Sequence, residues 1–301
     1  MTAISWQDAA AEAATHAAEG DAFDLGGMIM HHLEDAPYWE LPFLGEVHFP
    51  VWEPIHVAGI TVDLSPSKHV ALVIIAGLLC FGLFSLFARR VQRTPAGRAP
   101  TGAANAAEAL VVYFRDEVVR RNIGHGSDAY TPYILTLFFF ILFMNLLGLI
   151  PWGGSATGNV SVTAALAIVT FLVVEFSGFR ALGAAGYAKT IFFVPPGMGP
   201  VGSSLMLVIM APVEFLGKLT KPFALAIRLF ANMTAGHTLI LALLGLIFVF
   251  GDLTLGRYPI TAASLAMASA IMVLELFVAF LQAYIFAMLS SVFIGLIRHA
   301  H

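Results

Sequence analysis

Five stretches of the chain are apolar enough to cross a bilayer, and short polar segments separate them. Val70–Ala88 runs 19 residues without a charge, about what a helix needs to span hydrocarbon roughly 30 Å thick. Arg89, Arg90, Arg93 and Arg98 follow it, whereas Lys68 is the only lysine or arginine before it. The positive-inside rule then puts the N-terminus outside and the arginines in the cytoplasm. The second span, near 131–152, runs outward and ends at Pro151. The third, near 160–179, returns inward, carries Glu175 and meets Arg180 and Lys189. Pro195, Pro196, Gly197, Gly199 and Pro200 then break the pattern. The last two runs, near 201–250 and 260–297, are too long for upright spans. At 1.5 Å per residue the latter would be a helix of roughly 57 Å, so it must tilt steeply, bend or break into a hairpin. Pro212 and Pro222 are candidate bends in the former, and Asp252, Arg257 and Pro259 mark an outer turn between the two. Arg298 and His299 close the chain on the cytoplasmic side.

Two other segments read differently. Over 105–122, Ala107, Leu110, Val111, Phe114 and Val118 recur at helical spacing, opposed by Glu108, Arg115 and Glu117. That pattern predicts an amphipathic helix lying at the cytoplasmic surface. Residues 1–68 are polar and acidic, with Pro37, Pro42, Pro50 and Pro54, and read as an extracytoplasmic arm with one short helix. The fold expected is thus an all-α integral membrane protein. It has about five transmembrane helices in residues 69–301, the last two long and steeply tilted, plus the interfacial helix. No internal repeat is seen.

Composition agrees. Of the 301 residues 59% are hydrophobic and only 11% charged, where soluble domains carry about 25%. A net charge of −4 gives no bias toward nucleic acid. The single cysteine, Cys80, lies inside an apolar run and carries no message about redox compartment. Met1 to Asp24 lack a basic start followed by an apolar core, so no cleavable signal peptide is expected.

Charges inside a bilayer are costly and default to functional hypotheses. The fourth run carries Glu214, Lys218, Lys221, Arg228, Asn232 and His237; the fifth carries Glu275 and Gln282. Arg228 has no acidic residue within a helical turn. A guanidinium keeps its proton in proteins, so Arg228 cannot carry protons. It can favour the ionised form of a nearby carboxylate. Ala224, Ala231 and Ala235 share its face and would let a partner helix approach closely. The bland alternative is a snorkelling or paired structural arginine. Glu275 and Gln282 are seven apart on one helical face. With His237, which titrates near neutral pH, Glu275 would form a proton relay; a structural ion pair is the alternative. Glu214 lies toward the cytoplasm, so polar groups stand at two depths with Arg228 between them. In the arm, His31 and His32 beside Glu34 and Asp35 read as water-facing rather than as a metal site.

These residues carry a resemblance. Leu219 to His237, and above all Arg228-Leu229-Phe230-Ala231-Asn232-Met233 followed by Ala235-Gly236, resembles the signature of the subunit a family of F-type ATP synthases. Met144-Asn145-Leu146 before Pro151, Asn159 with Val162-Thr163, and Leu281-Gln282-Ala283-Tyr284-Ile285-Phe286 support it. It covers about 65–298. The resemblance implies that Arg228 faces a rotating ring of c subunits and that Glu214 lines the cytoplasmic half-channel. It also implies that Asn232, His237, Glu275 and Gln282 line or border the outer one. Many members carry the acid at the His237 position and the histidine at the Glu275 position; here they are exchanged. Some have aspartate where Gly148 stands, so no role transfers there. The implied partners are the c-ring, peripheral-stalk b subunits, lipid and the transported proton, in a bacterial inner membrane. No cofactor, metal or bond chemistry is expected in this chain. A self-contained channel or secondary transporter would need its own carboxylate facing Arg228 and often an inverted repeat. An intramembrane enzyme would need a metal motif or a serine/histidine pair, and a scaffold would not need Arg228. None of these features is seen.

Overall fold

The computed structural model describes residues 24–41, 45–57, 60–62, 65–94, 101–150, 154–192, 200–251 and 257–299. The Pro195–Gly199 break, Arg98, Pro151 and Asp252 lie outside them. Among the described residues, five helices have the length and apolarity of membrane spans: Lys68–Gln92, Ser127–Gly148, Val160–Ile191, Gly202–Val249 and Tyr258–Arg298. The chain is an all-α multi-pass membrane protein whose last two spans are long.

The arm begins with α1, Leu25–Leu33. The Asp24 carboxylate caps it, accepting from the Gly27 N–H at 2.9 Å, which satisfies one of the free donors of the first turn. One short helix was expected here, and the structure adds two antiparallel hairpins. β1 (Tyr38–Leu41) pairs with β2 (Gly45–His48), Tyr38 opposite His48. β3 (Ile55–Val57) pairs with β4 (Ile60–Val62), Ile55 opposite Val62. Strands of three or four residues show too few alternations to be recognised, and the prolines around them read only as breakers.

The chain divides into two compact units. The first comprises Met1–Leu78, Leu142–Asn159 and Phe230–Leu281. Here the start of α2, Lys68–Gln92, is tied to the arm. The Lys68 N–H donates to the Ala36 carbonyl at 3.1 Å, and its ammonium to the His32 carbonyl at 3.3 Å. Asn145, fully buried, donates to the Ala279 carbonyl at 3.2 Å and accepts from the Thr157 hydroxyl at 2.8 Å.

The second unit comprises Leu79–Ile141, Val160–Leu229 and Gln282–His301. The predicted amphipathic helix appears as α3, Ala103–Tyr113, and continues as a π-helical segment, Phe114–Arg120. Ala104, Phe114, Val118 and Val119 are buried, while Glu108 and Glu117 are exposed. The π segment leaves the Val118 carbonyl to side chains: Asn122 donates to it at 2.7 Å and Ser291 at 3.0 Å. Such single wide turns inside α-helices are uncommon. α4, Thr131–Gly148, places Phe138 against Phe114 at 4.6 Å between ring centroids. α5, Val160–Ile191, buries Thr163, Ala167, Thr170, Val174, Ser177 and Gly178, a stripe at helical spacing. The regular helix breaks at Gly183 (φ +70°, ψ 173°), a few residues past the predicted end at 179, and a second helical segment follows to Ile191.

α6, Pro200–Val249, has 50 residues and continues through Pro212 and Pro222. α7, Arg257–Arg298, has 42. At 1.5 Å per residue these are about 75 and 63 Å long. Each is one helix, which removes the hairpin alternative. Each must lean far over or project beyond the roughly 30 Å hydrocarbon layer.

Candidate functional site

In the first unit, α6 and α7 bring His237 and Glu275 together. His237 Nε2 lies 3.9 Å from Glu275 Oε1, with the side chains only 12% and 4% exposed. Gly236 makes the approach feasible, since a Cβ there would stand 2.5 Å from Oε1. The 3.9 Å separation is too long for a hydrogen bond. Among the described residues, His237 Nε2, both Glu275 oxygens and the nearby Thr234 hydroxyl are buried with no hydrogen-bond partner. Three orphaned polar atoms in the His237–Glu275 pair are expensive in a dry interior.

Arg228 is exposed on α6, as are Ala224, Ala231, Asn232 and Ala235. Among the described residues no carboxylate pairs with Arg228. Gln282 is buried on α7, 4% exposed. The structure therefore brings the predicted histidine and glutamate into one cluster and leaves the arginine on the outer surface of its helix.

In the second unit a cavity of about 220 Å³ opens among α5, α6 and α7. Glu214, Lys218, Lys221, Glu175, Thr190 and Pro222 contribute to its wall. Lys218 Nζ is 3.1 Å from the Thr190 hydroxyl, 3.5 Å from Glu175 Oε2 and 4.3 Å from the centroid of the Tyr187 ring. The Tyr187 hydroxyl donates to the same Glu175 oxygen. Glu175 and Lys218 stand out in the sequence as charges in apolar runs, but they are 43 residues apart. No spacing rule pairs them.

The arm corrects another expectation. His31 and His32 are partly buried rather than water-facing. Tyr38 Oη lies 3.1 Å from His31 Nε2. Nearby, the buried His69 ring meets Asp35 at 2.7 Å, and the Asn159 amide lies 3.4 Å from Asp35 and 3.5 Å from His69.

The sequence matches the profile of the ATP synthase A chain over residues 70–295, which takes in His237, Glu275 and the charged residues of the cavity. The chain belongs to that family. It is 45% identical over 287 residues to "ATP synthase subunit a 2" of Chlorobaculum tepidum, covering 95% of this chain and 77% of the relative. Against "ATP synthase subunit a" of Pelodictyon phaeoclathratiforme the identity is 44% over 98% of this chain and 82% of the relative. Against that of an Anaeromyxobacter species it is 42% over 98% and 76%. Within the ATP synthase A chain family, the glycine at 148 has a local cause in this member. A Cβ there would come within 2.9 Å of the Ser155 hydroxyl and 3.2 Å of the Met233 methyl. An aspartate would not fit without moving both.

Proposed function

We propose that this chain is the static half of the proton path of an F-type ATP synthase in a bacterial inner membrane. It works against a ring of c subunits, alongside peripheral-stalk b subunits, with its N-terminus outside and its C-terminus in the cytoplasm. The observation that carries the reading is Arg228: a permanent cation, exposed, without an acidic partner among the described residues, on a helix that spans the membrane. An isolated cation in that setting calls for a carboxylate from another chain, and exposed Ala224, Ala231 and Ala235 leave room for the helix that brings it.

The proton path follows from where titratable groups stand. Outside water reaches the His237–Glu275 cluster, with Asn232 and Gln282 bordering it. A proton held on that pair passes to a ring carboxylate. Once neutral, the carboxylate tolerates lipid as the ring turns. Its return brings it to the cavity lined by Glu214, where the cytoplasm accepts the proton. Arg228 favours the ionised carboxylate between the two positions and, being unable to release its own proton, keeps them from short-circuiting. Each charge crossing 100 mV contributes about 2.3 kcal/mol, so several must pass for each ATP made.

The test is ATP-driven proton pumping by the assembled complex in inverted vesicles. Arg228→Ala should reduce pumping at least tenfold with the complex intact. Pumping at the wild-type rate would return Arg228 to the role of a snorkelling side chain.

A further inference from the structure

We propose that α1 of the amino-terminal arm forms a wall of the outer half-channel, with His32 as a lining residue that exchanges protons with His237. The proposal rests on the half-channel reading above. It begins from a close contact. A Cβ on Gly245 would lie 2.0 Å from Leu25 Cδ1 and 3.3 Å from the Met28 methyl, so α1 presses directly on the backbone of α6. Leu25, Met28 and His32 stand at i, i+3 and i+7 and share one face of α1. Gly245 and His237 stand eight apart and share one face of α6. From Leu25 to His32 is about 10.5 Å along an axis, and from Gly245 to His237 about 12 Å. Run antiparallel from the contact at Leu25 and Gly245, the two helices would bring His32 beside His237.

The electrostatics agree. Burial above all, then the charges of Lys68, His237 and His31, hold the His32 imidazole well below its ordinary range, at about 4. His237 is thus near enough to act on His32. The groups facing His32 are His31 from α1, Lys68 from α2 and His237 from α6. The Lys68 ammonium also holds the His32 carbonyl at 3.3 Å, which pins the end of α1. An imidazole in these surroundings does not rest as a cation. It passes protons on: one nitrogen accepts a proton from outside water while the other gives its proton toward His237, and Glu275 takes the charge onward. The ring leaves the transfer as the opposite tautomer and resets by turning over.

The experiment uses the complete ATP synthase in sealed vesicles, with Cys80→Ser as the parent. His32→Cys is added, and a small cationic methanethiosulfonate is applied on the face that carries the arm. The expected result is attachment at residue 32 and at least a fivefold fall in ATP synthesis driven by an acid–base jump, with the parent unaffected. Attachment without inhibition, or no attachment, overturns the proposal. As a second variant, His32→Gln keeps the shape but removes the titratable ring. It should slow synthesis at least threefold and flatten its dependence on outer pH, and a wild-type rate and profile would count against it. Arg228→Ala runs alongside. If coupled synthesis survives that substitution, the half-channel reading itself has failed. If synthesis is lost while the His32 variants behave as wild type, only the role of the arm is refuted.

Discussion

Gly236 decides how closely α6 can meet Glu275. A methyl group at that position would sit 2.5 Å from the carboxylate oxygen, well inside contact distance, so Gly236→Ala must push Glu275 away from His237. Pumping should fall about tenfold in assembled complexes, since proton transfer needs its groups within reach of each other or of one bridging water. An unchanged rate would show that the 3.9 Å approach of His237 and Glu275 is incidental. These two residues were legible in the sequence because charged or titratable groups in apolar runs are rare and expensive. Their separation was not, because it depends on a glycine whose purpose appears only when the two helices are side by side. The same holds for Lys218 and Glu175: each could be seen, but the tie between them could not, since 43 residues intervene. His32 was read as a surface residue because nothing in the local sequence reports that Leu25 and Met28 dock on Gly245.

At the scale of elements, apolar run length revealed the spans, and helix termini were the harder part. α5 illustrates the difficulty. Arg180 and Lys189 marked its predicted end, and the regular helix breaks close by, at Gly183, before a second helical segment runs on to Ile191. The kink requires φ +70°, and open space surrounds the position, so the cost of a side chain there is conformational alone. Gly183→Ala should destabilise this bend by about 1–3 kcal/mol and lower the thermal midpoint of the purified complex; an equal or higher midpoint would mean that the bend is not held. α6 shows the converse. Pro212 and Pro222 looked like bends, but the helix continues through both, as membrane helices allow when neighbouring groups satisfy the freed backbone. The hairpins of the arm escaped notice because short strands carry hardly any period.

The whole molecule joins a membrane body to an arm whose attachment should respond to pH. His32 titrates at about 4 when docked, against an ordinary 6.5. A histidine with a depressed docked value contributes fully above 6.5 and loses that contribution as pH falls through about 4. At about 1.36 kcal/mol per unit the loss is on the order of 3 kcal/mol at most. Asp35 does not add to it in that window. Burial works to raise its carboxyl, but the His69 hydrogen bond and charge outweigh this and hold it below its ordinary range. Amide exchange over residues 25–33 of the intact complex, corrected for intrinsic rates, should therefore quicken between pH 6.5 and 4.5, and His32→Gln should remove the dependence. A last consequence belongs to Pro222, whose ring lines the cavity beside Glu214. Proline has no N–H to offer, so the carbonyl oxygen of Lys218, one turn back, is released from the helix ladder at the cavity wall. Lipid cannot satisfy such an oxygen. A neighbouring group or water can, so the break in the ladder offers that chamber a ready anchor for water.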